Sequence, residues 1–341
     1  MIRSIDKPKK AKVTLRDIAE ATGYTINTIS HALNDKADIS EATRKMIKDK
    51  ACELGYIPNI LAGSLRSGIT KTIAIILGDI SNPYFGIMVK EIESTAEKQK
   101  YNIFVINTDE RKQMEDSAVY SALSKNVDGI ILFPVQRSKN SIKLLQKSGV
   151  PFILVGRHFE DMETDYVISD DVNGGYLATK HLIDKGHEKI LMINGAGCIS
   201  CARQRIAGYK KALMENNIEI RQNLIREIPF APGSCKALID SLIYDKVDFT
   251  SIFAFNDMLA WEAIYAFGLH NIEVPADVAV VGYDNIQSKL FFPFPLTTIN
   301  ISKGKMAARA VEILLQKIDG INTDKHYNLV FDTNLVVRSS T

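Results

Sequence analysis

From Thr72 to the end, the chain alternates wholly apolar runs of about five residues with stretches of helical periodicity. The runs are IAIIL (73–77), IFVIN (103–107), GIILF (129–133), PFILV (151–155), KILMIN (189–194), SIFAF (251–255) and VAVVG (278–282). A strand that is apolar at every position must be covered on both faces, and a parallel sheet flanked by helices does this. Seven such strands exceed one comfortable sheet, so the pattern predicts an α/β core of two lobes, each a doubly wound parallel sheet. Such sheets bind ligands beyond the carboxyl ends of their strands, and a cleft between two lobes draws on both.

The residues just beyond those ends are polar and aromatic. Asp79 and the segment Asn82 to Phe85 come after the first run, and Asn256-Asp257 and Tyr283-Asp284-Asn285 after the sixth and seventh. A loop after KILMIN ends in RQRIAGY, with Arg203, Arg205 and Gly208. Carboxylates and a guanidinium bind vicinal hydroxyls or amides, while an aromatic face covers the apolar side of a neutral polar ligand. Strand-end Asn and Asp also cap helices, and Asp257 divides evenly between the two uses. No catalytic set is visible. GxGxxG after the first run, GxxxxGKS or GxxxxGKT, GxSxG and HExxH are all absent, and the six histidines are scattered, so neither an enzyme nor a cofactor is expected. Cys198 and Cys201 have the CxxC spacing of half a zinc site or a redox pair. No second pair and no His at ligand spacing accompanies them, so free thiols and no metal are expected.

The first 71 residues differ in charge from the rest. They carry 13 Lys+Arg against 8 Asp+Glu, leaving 29 against 32 for the remainder. A basic head on a mildly acidic body marks the head as the part that meets a polyanion. Residues 1–12 read as a mobile basic arm. In residues 13–57, Thr14 caps a first helix with Asp17 as an acidic capping-box partner, and Gly23 ends it. Thr25 caps a second helix, Ile26 to Leu33, with Ile29 and Leu33 inward, and Ile26, Asn27, Thr28, Ser30 and His31 outward. Ser40 caps a third, Glu41 to Leu54, with Met46, Ile47 and Leu54 inward. Three short helices in so few residues are most often a helix-turn-helix, with generic three-helix packing as the alternative. In residues 58–71, Pro58 stops the third helix and Asn59 caps a weak, Gly-containing helix, ILAGSLR, which reads as a hinge or a linker. No signal peptide and no apolar run of membrane-spanning length is present, so a cytoplasmic protein without a membrane partner is expected.

VTLRDIAEATGYTINTISHALN resembles the DNA-binding head of the lac repressor family of bacterial transcription regulators. The similarity continues, in order, through YIPNILAGSLRSG, DISNPYF, RIAGY, FNDMLA and VGYDNIQSKLFFPFPLTTI. It implies a small all-α helix-turn-helix head, a hinge helix, and a two-lobed core like that of periplasmic sugar-binding proteins. The lobes are expected to be joined by three crossovers near Asp170, Asn300 and Tyr327. The first lobe then holds about 72–169 and 301–327, the second about 170–300 and 328–341. Partners implied are palindromic operator DNA, a small-molecule effector and a second copy of the chain, as a homodimer or a tetramer. The lack of a heptad tail after Val337 favours the dimer.

Carried over by position, Ile26 and Asn27 start the recognition helix, and His31 reads a base further along it. Thr14, Thr25 and Ser30 match phosphate contacts, Asn59 the hinge cap, and Leu65 a leucine that wedges between central base pairs. Two departures stand out: Gly63 where many members have Arg, and an apolar Ile26, for which a thymine methyl is a suitable target. Tyr84, Phe85, Arg205, Phe230, Asn256 and Asp284 fall at effector-pocket positions, with Arg205 and Asp284 resembling a pair that holds sugar hydroxyls. Purine-binding members share His31 and the YF and YD pairs, but GCISCARQ lacks their additional Arg and Thr. A saccharide is therefore expected over a nucleobase, with Cys201, and Cys198 beside it, at the pocket mouth. The resulting expectation is a transcriptional repressor whose operator affinity is set by its effector. A solute-binding sensor acting through protein partners and a nucleobase-responsive repressor are the alternatives.

Overall fold

A computed structural model describes residues 12–57, 68–289 and 294–341. Contacts divide the chain into a unit ending at Gly68 and a unit from Ile69 to Thr341.

Among the described residues the head has three helices, α1 (Leu15–Thr22), α2 (Ile26–Leu33) and α3 (Glu41–Glu53). Thr14 and Asp17 form the capping box in both directions: the Thr14 amide donates to Asp17 Oδ2 at 2.7 Å and the Asp17 amide to Thr14 Oγ1 at 3.4 Å. Gly23 ends α1 at φ +75°, where a side chain would be strained. Thr25 and Ser40 accept from the amides of Thr28 and Thr43, each at 3.2 Å, and so start the next two helices. Ile18, Ile29, Ala32, Ile47 and Ala51 make the buried centre, and Leu33 and Leu54 pack half-buried around it. Met46, expected inside, is 42% exposed. Ile47 and Ala51, four apart, define the inner stripe of α3, and Met46 lies one residue, about 100° of helix, away from it.

The second unit contains two six-stranded sheets among the described residues. In the first lobe β1 (Thr72–Leu77) pairs in parallel with β2 (Asn102–Asn107) and β3 (Gly129–Leu132). Beyond β3 lie β4 (Phe152–Val155), β5 (Tyr166–Ser169) and the late strand Asn328–Phe331. The second sheet has β6 (Ile190–Asn194) beside β7 (Ile225–Glu227) and β8 (Ser251–Ala254), followed by β9 (Ala279–Asp284) and β10 (Thr297–Ile301). The late strand of the first sheet is β11, and β12 (Thr333–Val336) closes the second sheet antiparallel to β10. Helices α4 (Pro83–Lys98), α5 (Lys112–Ser124) and α6 (Asn140–Ser148) join the strands of the first lobe. In the second, α7 (Asp171–Asp184), α8 (Ser200–Glu215), α9 (Ser234–Tyr244) and α10 (Asp257–Leu269) do the same, and α11 (Lys303–Ile318) leads from β10 to β11. All seven apolar runs fall on strands. Those that escape the pattern, β5, β7, β10, β11 and β12, are short, polar as in TTINI, or at an edge.

The chain passes between the lobes after Asp170, at Ser302 and at Asp332. The third passage corrects the expected position near Tyr327. Residues 328–331 stay in the first sheet, where Tyr166 donates to the Tyr327 carbonyl and Asp170 to the Phe331 carbonyl, both at 2.8 Å. Leu329 and Phe331 pack on the first lobe's core there, which is what keeps the segment on that side. No described helix is long and apolar enough to cross a membrane.

Candidate functional site

Between the lobes lies a cavity of about 960 Å³. Tyr84, Phe85, Arg205, Phe230, Asn256 and Asp284 all line it, with Asp79, Glu110, Phe133 and Arg157 from the first lobe and Cys201 and Trp261 from the second. The lobes also touch directly: the Ser200 amide donates to Gln136 Oε1 at 2.8 Å, and the His158 amide to Ser200 Oγ at 3.2 Å.

The first-lobe wall is built at the start of α4. Asn82 Oδ1 accepts from the Tyr84 amide at 3.0 Å, and Pro83 takes the first helical turn, where its missing N–H is not needed. The turn aims Tyr84 and Phe85 at Phe133, and the three rings meet edge to face, with centroids 5.1, 5.4 and 6.5 Å apart. Beside them Arg157 grips Glu110 with both terminal nitrogens, at 2.8 and 2.9 Å, and donates to the Pro134 carbonyl. Nothing in the sequence signals that pair. Its members stand 47 positions apart with no local motif to join them.

On the second lobe RQRIAGY lies on a helix, α8, not in a loop. It crosses α7 at glycines. A Cβ on Gly208 would sit 2.0 Å from the Val172 carbonyl oxygen, and one on Gly175 2.3 Å from the Arg205 carbonyl oxygen. This contact of backbone on backbone brings Asp171 against Arg205, whose Nε donates to Asp171 Oδ1 at 2.8 Å. Nη1 donates to the Phe255 carbonyl, and the guanidinium lies over Tyr283, 3.5 Å from the ring centroid, and near Phe255 at 4.3 Å. The ion-pair partner of Arg205 is therefore Asp171. Asp171 escapes sequence reasoning because only the helix crossing reveals it. Nη2 makes no hydrogen bond among the described residues and remains available.

Asp284 stands at the end of β9 with φ +100°, a left-handed conformation unusual for Asp. Lys303, buried, donates to the Asp284 carbonyl and holds that backbone in place. The carboxyl makes no hydrogen bond among the described residues, and burial, opposed by Arg205 and Lys303, pushes its pKa up to about 6. Next to it, burial and the Asp284 charge push Asp257 up to about 8. Asp257 does not cap its own helix, α10. It accepts from the Ile286 amide at 2.8 Å and Thr298 Oγ1 at 2.5 Å, while Asn256 Oδ1 caps α10 through the Leu259 amide at 2.9 Å. Phe230 stacks on Phe255, centroids 4.7 Å apart, and packs so close to Gly195 that a Cβ there would lie 2.4 Å from the ring. Cys201 lines the main cavity, but Cys198 and Arg203 line a smaller one beside it, where Arg203 pairs with Glu160 at 3.1 Å.

In the head, Thr25, Ile26 and Asn27 are exposed at the start of α2, with Ser30 and His31 half-buried farther along the same helix. Thr14 is exposed at the start of α1. Short polar groups on one helix face are what major-groove reading requires. Asn59 and Leu65 lie outside the described residues.

Residues 14–59 match the family model described as bacterial regulatory proteins, lacI family. Residues 70–332 match the one described as periplasmic binding proteins and sugar binding domain of LacI family. The chain is similar to the HTH-type transcriptional repressor PurR of Actinobacillus pleuropneumoniae serotype 3 (strain JL03), 32% identical over 328 residues, 96% of this chain and 98% of that protein. Among solved structures it is similar to the lac repressor dimer bound to operator and the anti-inducer ONPF. There the TM-score is 0.84 and the identity 26%, over 97% of this chain and 99% of that one. It is also similar to the complex of the transcriptional regulator CelR with cellobiose, with TM-score 0.72 and 26% identity over 97% of this chain and 100% of that one.

Proposed function

The chain belongs to the lacI family of bacterial regulatory proteins, as a DNA-binding transcriptional repressor with an effector-binding core, and we propose that its effector is a saccharide held between the two lobes. The observation that carries this is the second-lobe wall. Arg205 Nη2 and the Asp284 carboxylate are uncommitted, Phe230 offers a flat apolar face, and the neighbouring positions are Ile199 and Cys201. A donor, an acceptor and a ring face suit a sugar's hydroxyls and its apolar side. Neither Ile199 nor Cys201 supplies the strong in-plane donor that reading a base edge calls for. The cellobiose complex of CelR supports the same class. The PurR relatives, and the YF and YD pairs shared with purine-binding members, favour a nucleobase as the second reading.

Regulation then works by linkage. If effector and operator prefer different states of the core, each changes the other's affinity by one factor, and a coupling of about 1–3 kcal/mol gives roughly 5- to 150-fold. On the DNA side, Ile26, Asn27 and His31 read bases, Thr14, Thr25 and Ser30 hold phosphates, and Asn59 and Leu65 act in the hinge. A homodimer presents two such heads to a palindromic operator, and a chain with this task works in the cytoplasm.

The test is a thermal-shift screen of mono- and disaccharides with nucleobases in parallel, and then gel shifts on a palindrome selected from a random library. A saccharide should raise the melting temperature by mass action and change operator affinity. A nucleobase doing both while no saccharide does would install the second reading. Absence of sequence-specific, salt-sensitive DNA binding with and without effector would leave the head to a protein partner.

A further inference from the structure

We propose that Asp38 is a positioning residue for base reading: it holds Nδ1 of His31 and so fixes which ring nitrogen the recognition helix offers to DNA. The inference rests on the assignment of His31 as a base reader.

His31 sits in the last turn of α2, and Asp38 in the link between α2 and α3. His31 Nδ1 lies 2.6 Å from Asp38 Oδ2. An ionised carboxylate only accepts, so the proton of that bond resides on Nδ1. The bond also draws the Asp38 carboxyl below the ordinary carboxylate range, with His31 as the largest cause. Nε2 makes no hydrogen bond among the described residues. In the neutral ring Nε2 is therefore the nitrogen that carries the lone pair and can accept.

An acid beside the reading face of a basic head needs a reason, because the phosphate backbone repels it. The other acid of the same link, Asp35, has one of an ordinary kind: it pairs with Lys48 at 2.6 Å and Arg44 at 3.6 Å and ties the link to α3. Asp38 has no Lys or Arg ion pair among the described residues. Its bond is to a side chain of the reading helix.

The tautomer decides which base edge matches. An acceptor at Nε2 suits an exocyclic amino group, N6 of adenine or N4 of cytosine, in the major groove. Without Asp38 the neutral ring can turn or carry its proton on Nε2, where it suits the acceptors of guanine equally well. Asp38 thus narrows a two-way reader to one.

The full-length wild type, His31→Ala, Asp38→Ala and Asp38→Asn are compared on the palindrome enriched by the wild type and on every single base-pair change in its half-site. His31→Ala should flatten discrimination at one base pair. Asp38→Ala should flatten it at that same base pair by roughly fivefold or more, leaving the other positions unchanged. Asp38→Asn, whose Oδ1 can still accept from Nδ1, should restore most of the preference. Full discrimination retained by Asp38→Ala would overturn the proposal. A uniform loss across all base pairs would assign Asp38 to head stability and overturn it too. A His31→Ala protein with unchanged base preference everywhere would remove the reading on which the proposal stands, a result distinct from failure of Asp38 alone.

Discussion

Replacing Asp171 by Ala removes the charge that holds Arg205. The two side chains are 1% and 6% exposed and meet at 2.8 Å, so neither is screened by solvent. Breaking such a pair from one side typically costs about 3–5 kcal/mol, because the remaining ion stays buried. Arg205 keeps its bond to the Phe255 carbonyl and its position over the Tyr283 ring, which burial strengthens and which offsets about 1–2 kcal/mol. The expected loss is about 1–4 kcal/mol. Asp171→Asn keeps an oxygen acceptor for Nε and forfeits only the charge, so it should cost about 1–2 kcal/mol, the gap between a charged and a neutral hydrogen bond. The assay is equilibrium denaturation in urea monitored by circular dichroism, with m-values compared so that stability is separated from denatured-state effects. A saccharide's thermal shift should fall in both variants below unfolding, since Nη2 loses its aim. If Asp171→Ala cost under 1 kcal/mol, or no more than Asp171→Asn, the buried pair would not be what orders the guanidinium.

The same site carries two further expected outcomes. Because the folded pKa of Asp284 is about 6 against an ordinary 3.8, the folded chain binds the extra proton between those values, and this group's contribution to stability falls as pH rises from about 4 to 6. On the proposed reading saccharide binding runs the other way, since sugar hydroxyls would donate to the carboxylate: calorimetry should show affinity weakening as pH drops through about 6, and the trend should vanish in Asp284→Asn. A wild-type affinity constant between pH 5 and 8 would contradict the role given to Asp284. Gly208→Ala places a methyl against the Val172 carbonyl and the Tyr176 amide, where no flexible side chain can yield. It should destabilise by about 1–3 kcal/mol and weaken effector binding, whereas Gly268→Ala, within α10 with nothing inside 4 Å, should be neutral or stabilise by about 0.5–1 kcal/mol. Equal melting temperatures for the two variants would refute the account of RIAGY.

The fold is legible where burial leaves a one-dimensional trace. A strand covered on both faces is apolar throughout, so β1 to β4, β6, β8 and β9 stand out. TTINI at β10 and NLVF at β11 do not, because each draws its place from neighbours brought in by crossovers. The third passage is displaced from its expected position for that reason: Tyr327 ends a loop, but Leu329 and Phe331 still have the first lobe's core to cover. In the head, caps are local chemistry, and Thr14, Gly23, Thr25 and Ser40 act as their sequence positions suggest. Met46 differs because a short helix with one inward Ile leaves the phase of its stripe open by a residue.

The effector site shows what kind of fact a sequence withholds. All six expected residues line the cavity; apart from Arg205, which the helix crossing places from within α8, they lie at or follow strand ends, and strand ends converge in this architecture. Their partners are another matter. The resemblance names Arg205 and Asp284 as two ligand contacts and is silent on what orients the guanidinium, whose carboxylate comes from α7 through a crossing that Gly175 and Gly208 make possible. The motif is visible and its reason is not. The difference changes the chemistry. Were Arg205 paired with Asp284, a ligand would have to break an ion pair to reach either. With Asp171 holding Nε and Phe255 holding Nη1, the guanidinium is oriented beforehand, and Nη2 and the Asp284 carboxylate stand as a separate donor and acceptor. Groups fixed before the ligand arrives lose little entropy on binding it. Asp171, which need never touch a ligand, is thus the residue that sets the aim of Arg205.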